Sequence, residues 1–190
     1  MKEEFEKIFE LARPFLDTRG NELHTRIALA FAEELLAAEG GNPHVVIPAV
    51  ILHDVGWKCV PEEVQLNAFG PGKKDRSLNR VHEIEGARIA RRILDEVHYD
   101  SALIAEILDI VEGHDSRAEA LSLNDALVKD ADKLWRYSQH GFAVDTERFE
   151  VDQDKYLDGL RKRIDTWLFT DAAKLIAAKE YELRNKERQN

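Results

Sequence analysis

Six side chains of this sequence have the types and spacing to do chemistry together: His24, His53, Asp54, His82, His114 and Asp132. In order they run His, His-Asp, His, His, Asp, and imidazoles with carboxylates are donors suited to borderline and hard first-row metal ions. The adjacent pair His53-Asp54 closes an apolar run that starts at Ile47. An imidazole beside a carboxylate at the inner end of a buried helix has to be satisfied by something, and a metal ion satisfies both. One histidine on an apolar stripe is more often a hydrogen-bonded core residue, so the weight rests on the ordered set. His44, His98 and His140 are read as ordinary residues at a helix start, a helix end and the surface.

The elements that must carry these side chains are helical. Phe5, Ile8, Phe9 and Ala12 have helical spacing, interrupted by Pro14. A second helix is expected from Asn21 to Ala38, with His24, Ile27, Ala28, Phe31 and Leu35 on one stripe and Gly40-Gly41 as its stop. Asn42 and Pro43 open a third helix, which contains Pro48, should bend there, and reaches His53-Asp54 before Gly56. A short helix from Pro61 to about Phe69 is followed by a surface loop over 70–77, whose Lys73, Lys74 and Arg76 are read as solvated. The next helix is expected from Val81 to about Val97, with His82 in its first turn. Ile104, Ile107, Leu108, Val111 and His114 step by three and four, so His114 ends a buried stripe. Ser122 and Asp125 make a capping-box-like start for a helix with Leu127, Val128, Ala131, Leu134 and Trp135, and Asp132 on its flank. From Thr146 onward two amphipathic helices are expected. The first carries Phe149, Tyr156, Leu160, Ile164, Trp167 and Leu168, the second Leu175 and Ile176, with a fraying tail after Glu180.

These patterns predict an all-α protein of one domain over 1–190, with a core of about 22–140 and helical extensions over 1–16 and 146–187. The lone Cys59 rules out an internal disulfide and a multi-cysteine zinc site. A formal charge of −10 opposes binding to a nucleic-acid polymer. No long apolar span appears, so a soluble, cytoplasmic protein without a membrane partner is expected. A small anionic substrate stays compatible with the acidic balance, because bound cations invert the local field. Trp135, Trp167 and the Phe stripes suit a core or a homodimer face.

Three phrases carry a family resemblance: Val50-Ile51-Leu52-His53-Asp54-Val55-Gly56, His82-Glu83-Ile84-Glu85-Gly86-Ala87, and Val128-Lys129-Asp130-Ala131-Asp132-Lys133-Leu134. With the ligand order they make roughly Glu22 to Tyr137 resemble the HD-domain superfamily of metal-dependent phosphohydrolases. The resemblance implies an HD-type helical bundle with additional terminal helices, and a divalent metal centre of two ions (Fe, Mn, Co, Mg or Zn). His24, His53, Asp54 and Asp132 would hold one ion, and Asp54 would bridge to a second held by His82 and His114. Such a pair, about 3.5–4 Å apart, activates a hydroxide for in-line attack on a phosphoryl group. The implied substrate is a small phosphorylated metabolite, a nucleotide or related phosphoester.

Asp130 and Asp132 are roughly 200° apart on a helix, so only one can face the site; the family phrase selects Asp132. Asp54, Lys58 and Asp115 are candidate catalytic residues, Asp115 as proton carrier or orienter. Arg19, Lys133 and Arg136 are candidate phosphate contacts. Arg19 does not match the family spacing. Trp57 stands where single-metal nucleotidase relatives carry a glutamate, which favours metal-activated hydroxide as the attacking species. Two other readings stay open: a di-iron oxygenase with the same ligand order, and a non-catalytic ligand sensor.

Overall fold

The computed structural model describes residues 2–68 and 75–189, and among them every regular element is helical. In chain order these are α1 (Glu3–Leu16), α2 (Asn21–Glu39), α3 (Pro43–Leu52), α4 (Glu62–Gln65), α5 (Arg76–Glu96), α6 (Ser101–Gly113), α7 (Leu123–Leu134), α8 (Gln139–Arg148), α9 (Gln153–Trp167) and α10 (Asp171–Gln189). The all-α, HD-like bundle expected from sequence is the architecture observed. No helix among the described residues is long and apolar enough to cross a membrane.

Helix α3 has no polar face, and a helix that is apolar all round can only be central. Val45 to Leu52 are all buried, and α1, α2, α6 and α7 pack around them. The Asn42 side chain accepts from the His44 N–H at 2.9 Å, and Pro43 takes the first turn, where a missing N–H costs nothing. The helix ends at Leu52, with His53 as its cap, so the His-Asp pair emerges at the middle of the bundle. Asp54 then enters a 3-10 turn over Val55–Cys59 that lies against α5. Gly56 permits this approach: a Cβ there would come within 1.8 Å of the His82 carbonyl oxygen and 2.5 Å of the Gly86 nitrogen.

Several boundaries differ from expectation for identifiable reasons. Helix α1 runs through Pro14 to Leu16; Pro14 and Glu10 are exposed, so the carbonyl left without its helical donor faces water. On α2 the buried face is His24, Thr25, Ala28, Ala32 and Leu35, with Ile27 and Phe31 half-buried on its flank. Asp75 caps α5 through the Ser77 N–H, which starts the helix earlier and puts His82 in its second turn. Helix α4 is a single turn, and the 69–74 portion of the expected helix end and surface loop lies outside the described residues.

Two helices, α9 and α10, make up most of the chain from Thr146 onward, as expected, but Thr146 itself belongs to a separate helix, α8, that starts at Gln139. Helix α8 ends before Phe149, which becomes its cap instead of the first apolar anchor of α9. Leu175 is 73 % exposed and is no core residue, whereas Tyr181 and Arg184 are buried. Their burial keeps α10 helical to Gln189, past the point where fraying was expected.

Candidate metal centre

The six chemistry-bearing side chains arrive on five elements: His24 from α2, His53 and Asp54 from the end of α3, His82 from α5, His114 from the end of α6 and Asp132 from α7. Their donor atoms gather in two sets, His24/His53/Asp132 and Asp54/His82/His114. In the first set the two Nε2 atoms are 2.9 Å apart, and Asp132 Oδ1 is 3.3 Å from His24 and 3.8 Å from His53. In the second the Nε2 atoms are 3.3 Å apart, and Asp54 Oδ1 is 3.7 Å from His114 Nε2. Asp54 Oδ2 is 3.7 Å from both His24 and His53. One carboxylate therefore turns an oxygen to each set.

The donor chemistry fits metal ions. Metal–imidazole bonds are about 2.0–2.1 Å, so two nitrogens at right-angled or tetrahedral positions on one ion lie roughly 3.0–3.4 Å apart. Both histidine pairs have close to that spacing. His53 Nδ1 lies 2.7 Å from the Val50 carbonyl and His114 Nδ1 lies 2.8 Å from that of Val111. A carbonyl only accepts, so both Nδ1 atoms carry a proton, and Nε2 is the ring nitrogen that each histidine turns inward.

The charges point the same way. Burial favours protonation of Asp54 and Asp132, yet the surrounding imidazoles and Arg19 or Arg136 hold both well below the usual carboxylate range. Burial and the His114 charge lower His82 far below an ordinary imidazole. Burial opposes charging of His114 too, but its bond to Asp54 and the nearby carboxylates win and push it up to about 10. The close pair His82/His114 thus holds a single positive charge in the position where a cation would replace it.

Buried polar residues hold these side chains in place. The Trp57 indole N–H donates to Asp54 Oδ1 at 3.0 Å, and the ring stacks on His82 at 4.1 Å. Glu83 accepts from the backbone N–H groups of Asp115 and Ser116 and from Arg80, tying α5 to the end of α6. The buried Lys129 ammonium donates to the carbonyls of Gly113, His114 and Arg117, capping the helix end that carries His114. Sequence reading missed Glu83 and Lys129, although a glutamate and a lysine inside the quoted phrases were the available signal. Asp130 faces away from the centre: it accepts from the N–H groups of Phe169 and Thr170 and from the Thr170 hydroxyl, all within 2.9 Å.

A cavity of about 760 Å³ opens above the ligands. Arg19, Asp115, Lys133 and Arg136 line it, and Asp115 Oδ2 lies 3.9 Å from His82 Nε2. Lys133 donates to the Trp167 carbonyl at 2.9 Å and sits 4.3 Å from the Phe169 ring. Lys58 does not join them. It is exposed, and its ammonium donates to the Asp17 carbonyl at 2.6 Å, because the turn that directs Trp57 inward sends its neighbour outward. Asn21, Arg148 and the Trp167–Phe169 wall also line the cavity and had not been singled out as site residues. Their approach depends on α8 and the α9–α10 connection folding back over the centre.

The family model for the HD domain matches residues 22–136, a stretch that contains all six residues of the two donor sets. No curated protein and no solved structure matches the chain.

Proposed function

The chain belongs to the HD-domain family, and from that premise we propose that it is a phosphohydrolase with two divalent ions acting on a small phosphorylated metabolite, a nucleotide or related phosphoester. One observation carries the proposal: two donor sets at ion-binding spacing share Asp54 beneath a cavity whose wall is cationic. His24, His53, Asp132 and Asp54 would hold one ion, and His82, His114 and Asp54 the other. Bound ions supply Lewis acidity toward phosphoryl oxygens and lower the pKa of water held between them.

The protein's own groups do the remaining work. Lys133 and Arg136 stand beside Asp132 and can neutralise and orient a phosphate. Arg19 lies 4.3 Å over the Trp57 ring and contributes a further positive charge at the wall. Asp115, at the rim beside His82, is the candidate to hold or pass a proton. The cavity volume lies within the roughly 300–1,000 Å³ usual for small-molecule sites.

The test is phosphate release from a panel of nucleotides and sugar phosphates by protein stripped and reconstituted with Mn, Fe, Co, Mg or Zn. Metal-dependent release from one compound class, abolished by Asp132→Ala, is the expected result. Silence with every ion would overturn the hydrolase reading. Silence together with two irons per chain and oxygen consumption would replace it with the oxygenase.

A further inference from the structure

The strip that joins α9 to α10 lies outside the family stretch and still lines the cavity, through Thr166, Trp167, Leu168 and Phe169. Leu168 has an extended backbone, with φ −95° and ψ 142°, so side chains alternate across it. Leu168 and Thr170 are buried, whereas Trp167 and Phe169 stay half-buried at the cavity. Helix α7 fixes this strip at three points. Lys133 donates to the Trp167 carbonyl, and Asp130 accepts from the N–H groups of Phe169 and Thr170. Both anchors lie within two residues of Asp132, so the two rings have a fixed place relative to the first donor set. Cations gather at the same rings. The Lys133 ammonium is 4.3 Å from the centre of the Phe169 ring, and Arg136, Arg163 and Lys133 are 5.4, 5.7 and 5.8 Å from that of Trp167. The wall thus passes from cationic beside Asp132 to aromatic one side chain further out.

We infer that Trp167 and Phe169 form a platform for a nucleobase, so that the substrate of this site is a nucleotide and not a sugar phosphate. The inference deepens the phosphohydrolase reading and rests on it for the cleaved group. Half-exposed aromatic rings gain by being covered, and a flat aromatic ring covers them best. Bases stack on aromatic faces and on guanidinium planes, a contact open to every base because each has a π-face. The anionic end of a nucleotide would meet the cations beside Asp132 while its base meets the rings. A sugar phosphate would satisfy the cations and leave most of both rings uncovered. Because the strip is already held by Asp130 and Lys133, little ordering is left for the ligand to supply. Trp167 and Phe169 are specificity residues, and they take no part in the reaction itself.

Binding of adenosine, uridine and ribose to the metal-loaded protein tests the platform without turnover, because none of the three carries a phosphate. Both nucleosides should bind at least about tenfold more tightly than ribose, the lower range of what one stacked base contributes. In turnover, a nucleoside monophosphate should exceed ribose 5-phosphate by a similar factor in kcat/KM, mostly through KM. Trp167→Ala should remove most of both preferences, and Phe169→Leu should reduce them. Trp167 also packs against the core, so Trp167→Phe guards against a folding artefact and should recover most of the preference. Ribose binding as tightly as the nucleosides would overturn the platform. So would a nucleotide preference that survives both Trp167→Ala and Phe169→Leu. Phosphate release from sugar phosphates alone would overturn the platform and leave the hydrolase reading standing. Trp167-dependent binding of nucleosides with no phosphate release under any ion would do the reverse.

Discussion

Helix α7 carries two buried polar networks, and the contrast between them separates architecture from chemistry. On one side, Lys129 and Asp130 satisfy backbone: Lys129 caps the end of α6, and Asp130 holds the start of α10 through Phe169 and Thr170. Every partner there is complementary, donor to acceptor. On the other side, Asp132 meets His24 and His53 in a group whose ring nitrogens converge and whose carboxylates stay ionised. That arrangement could hold a cation. Burial is common to both networks, and what distinguishes the site is donors of one kind facing each other.

The sharpest way to break the contrast is to remove a ligand. His53→Ala or Asp132→Ala should lose bound metal and lower activity by more than about a hundredfold, the upper end of what losing an outer partner costs. Metal analysis and circular dichroism check this; full metal occupancy with normal helicity would sink the ligand assignment. Trp57→Phe keeps the stack on His82 and deletes the donor to Asp54, so metal affinity should fall by about 10–100-fold. An unchanged affinity would mean that the indole only fills space.

Protons and cations compete for the His82/His114 pair. His114 titrates near 10, so metal affinity should rise with pH up to that value, by as much as about tenfold per unit. Metal-free protein should show the opposite sign. The raised His114 value adds stability that is complete below the ordinary 6.5 and is lost as pH climbs through about 10. Thermal melts with and without chelator read both slopes, and parallel pH profiles would refute the competition.

The architectural side should respond in stability and not in metal. Asp130→Ala strands the donors at the start of α10 and should cost about 2–4 kcal/mol in urea unfolding while metal content is retained. Loss of metal in that variant would join the two networks into one. The smallest effect is expected from Lys58→Ala, whose ammonium bonds the Asp17 carbonyl outside the cavity: activity should stay within about twofold. A large drop would return Lys58 to the site.

Much of this contrast was legible beforehand because it is local. The apolar run to His53-Asp54 dictates a central helix that ends in polar groups, and the three-and-four stepping to His114 dictates a buried face. Rotation along α7 already forbids Asp130 and Asp132 from sharing a direction, since two residues turn a helix by roughly 200°. The family phrases added which of the two faces the ligands. Less legible were Glu83 and Lys129, whose types suggest surface until a backbone partner is known.

By itself, then, the sequence determined the helical class, the central helix, the six positions whose side chains converge and the acidic charge balance. These follow from periodicity, composition and a family's ordered residues, each readable within one element or along one chain. Only the tertiary structure decided that Lys58 points outward, that Asp130 fastens α10, that Trp57 bonds Asp54, and that Asn21, Arg136 and Arg148 share one cavity wall. Arg148 meets the Arg19 carbonyl across 129 positions of sequence. No local pattern encodes such a meeting; it arises when the end of α8 reaches the turn before α2 and both come to the same opening.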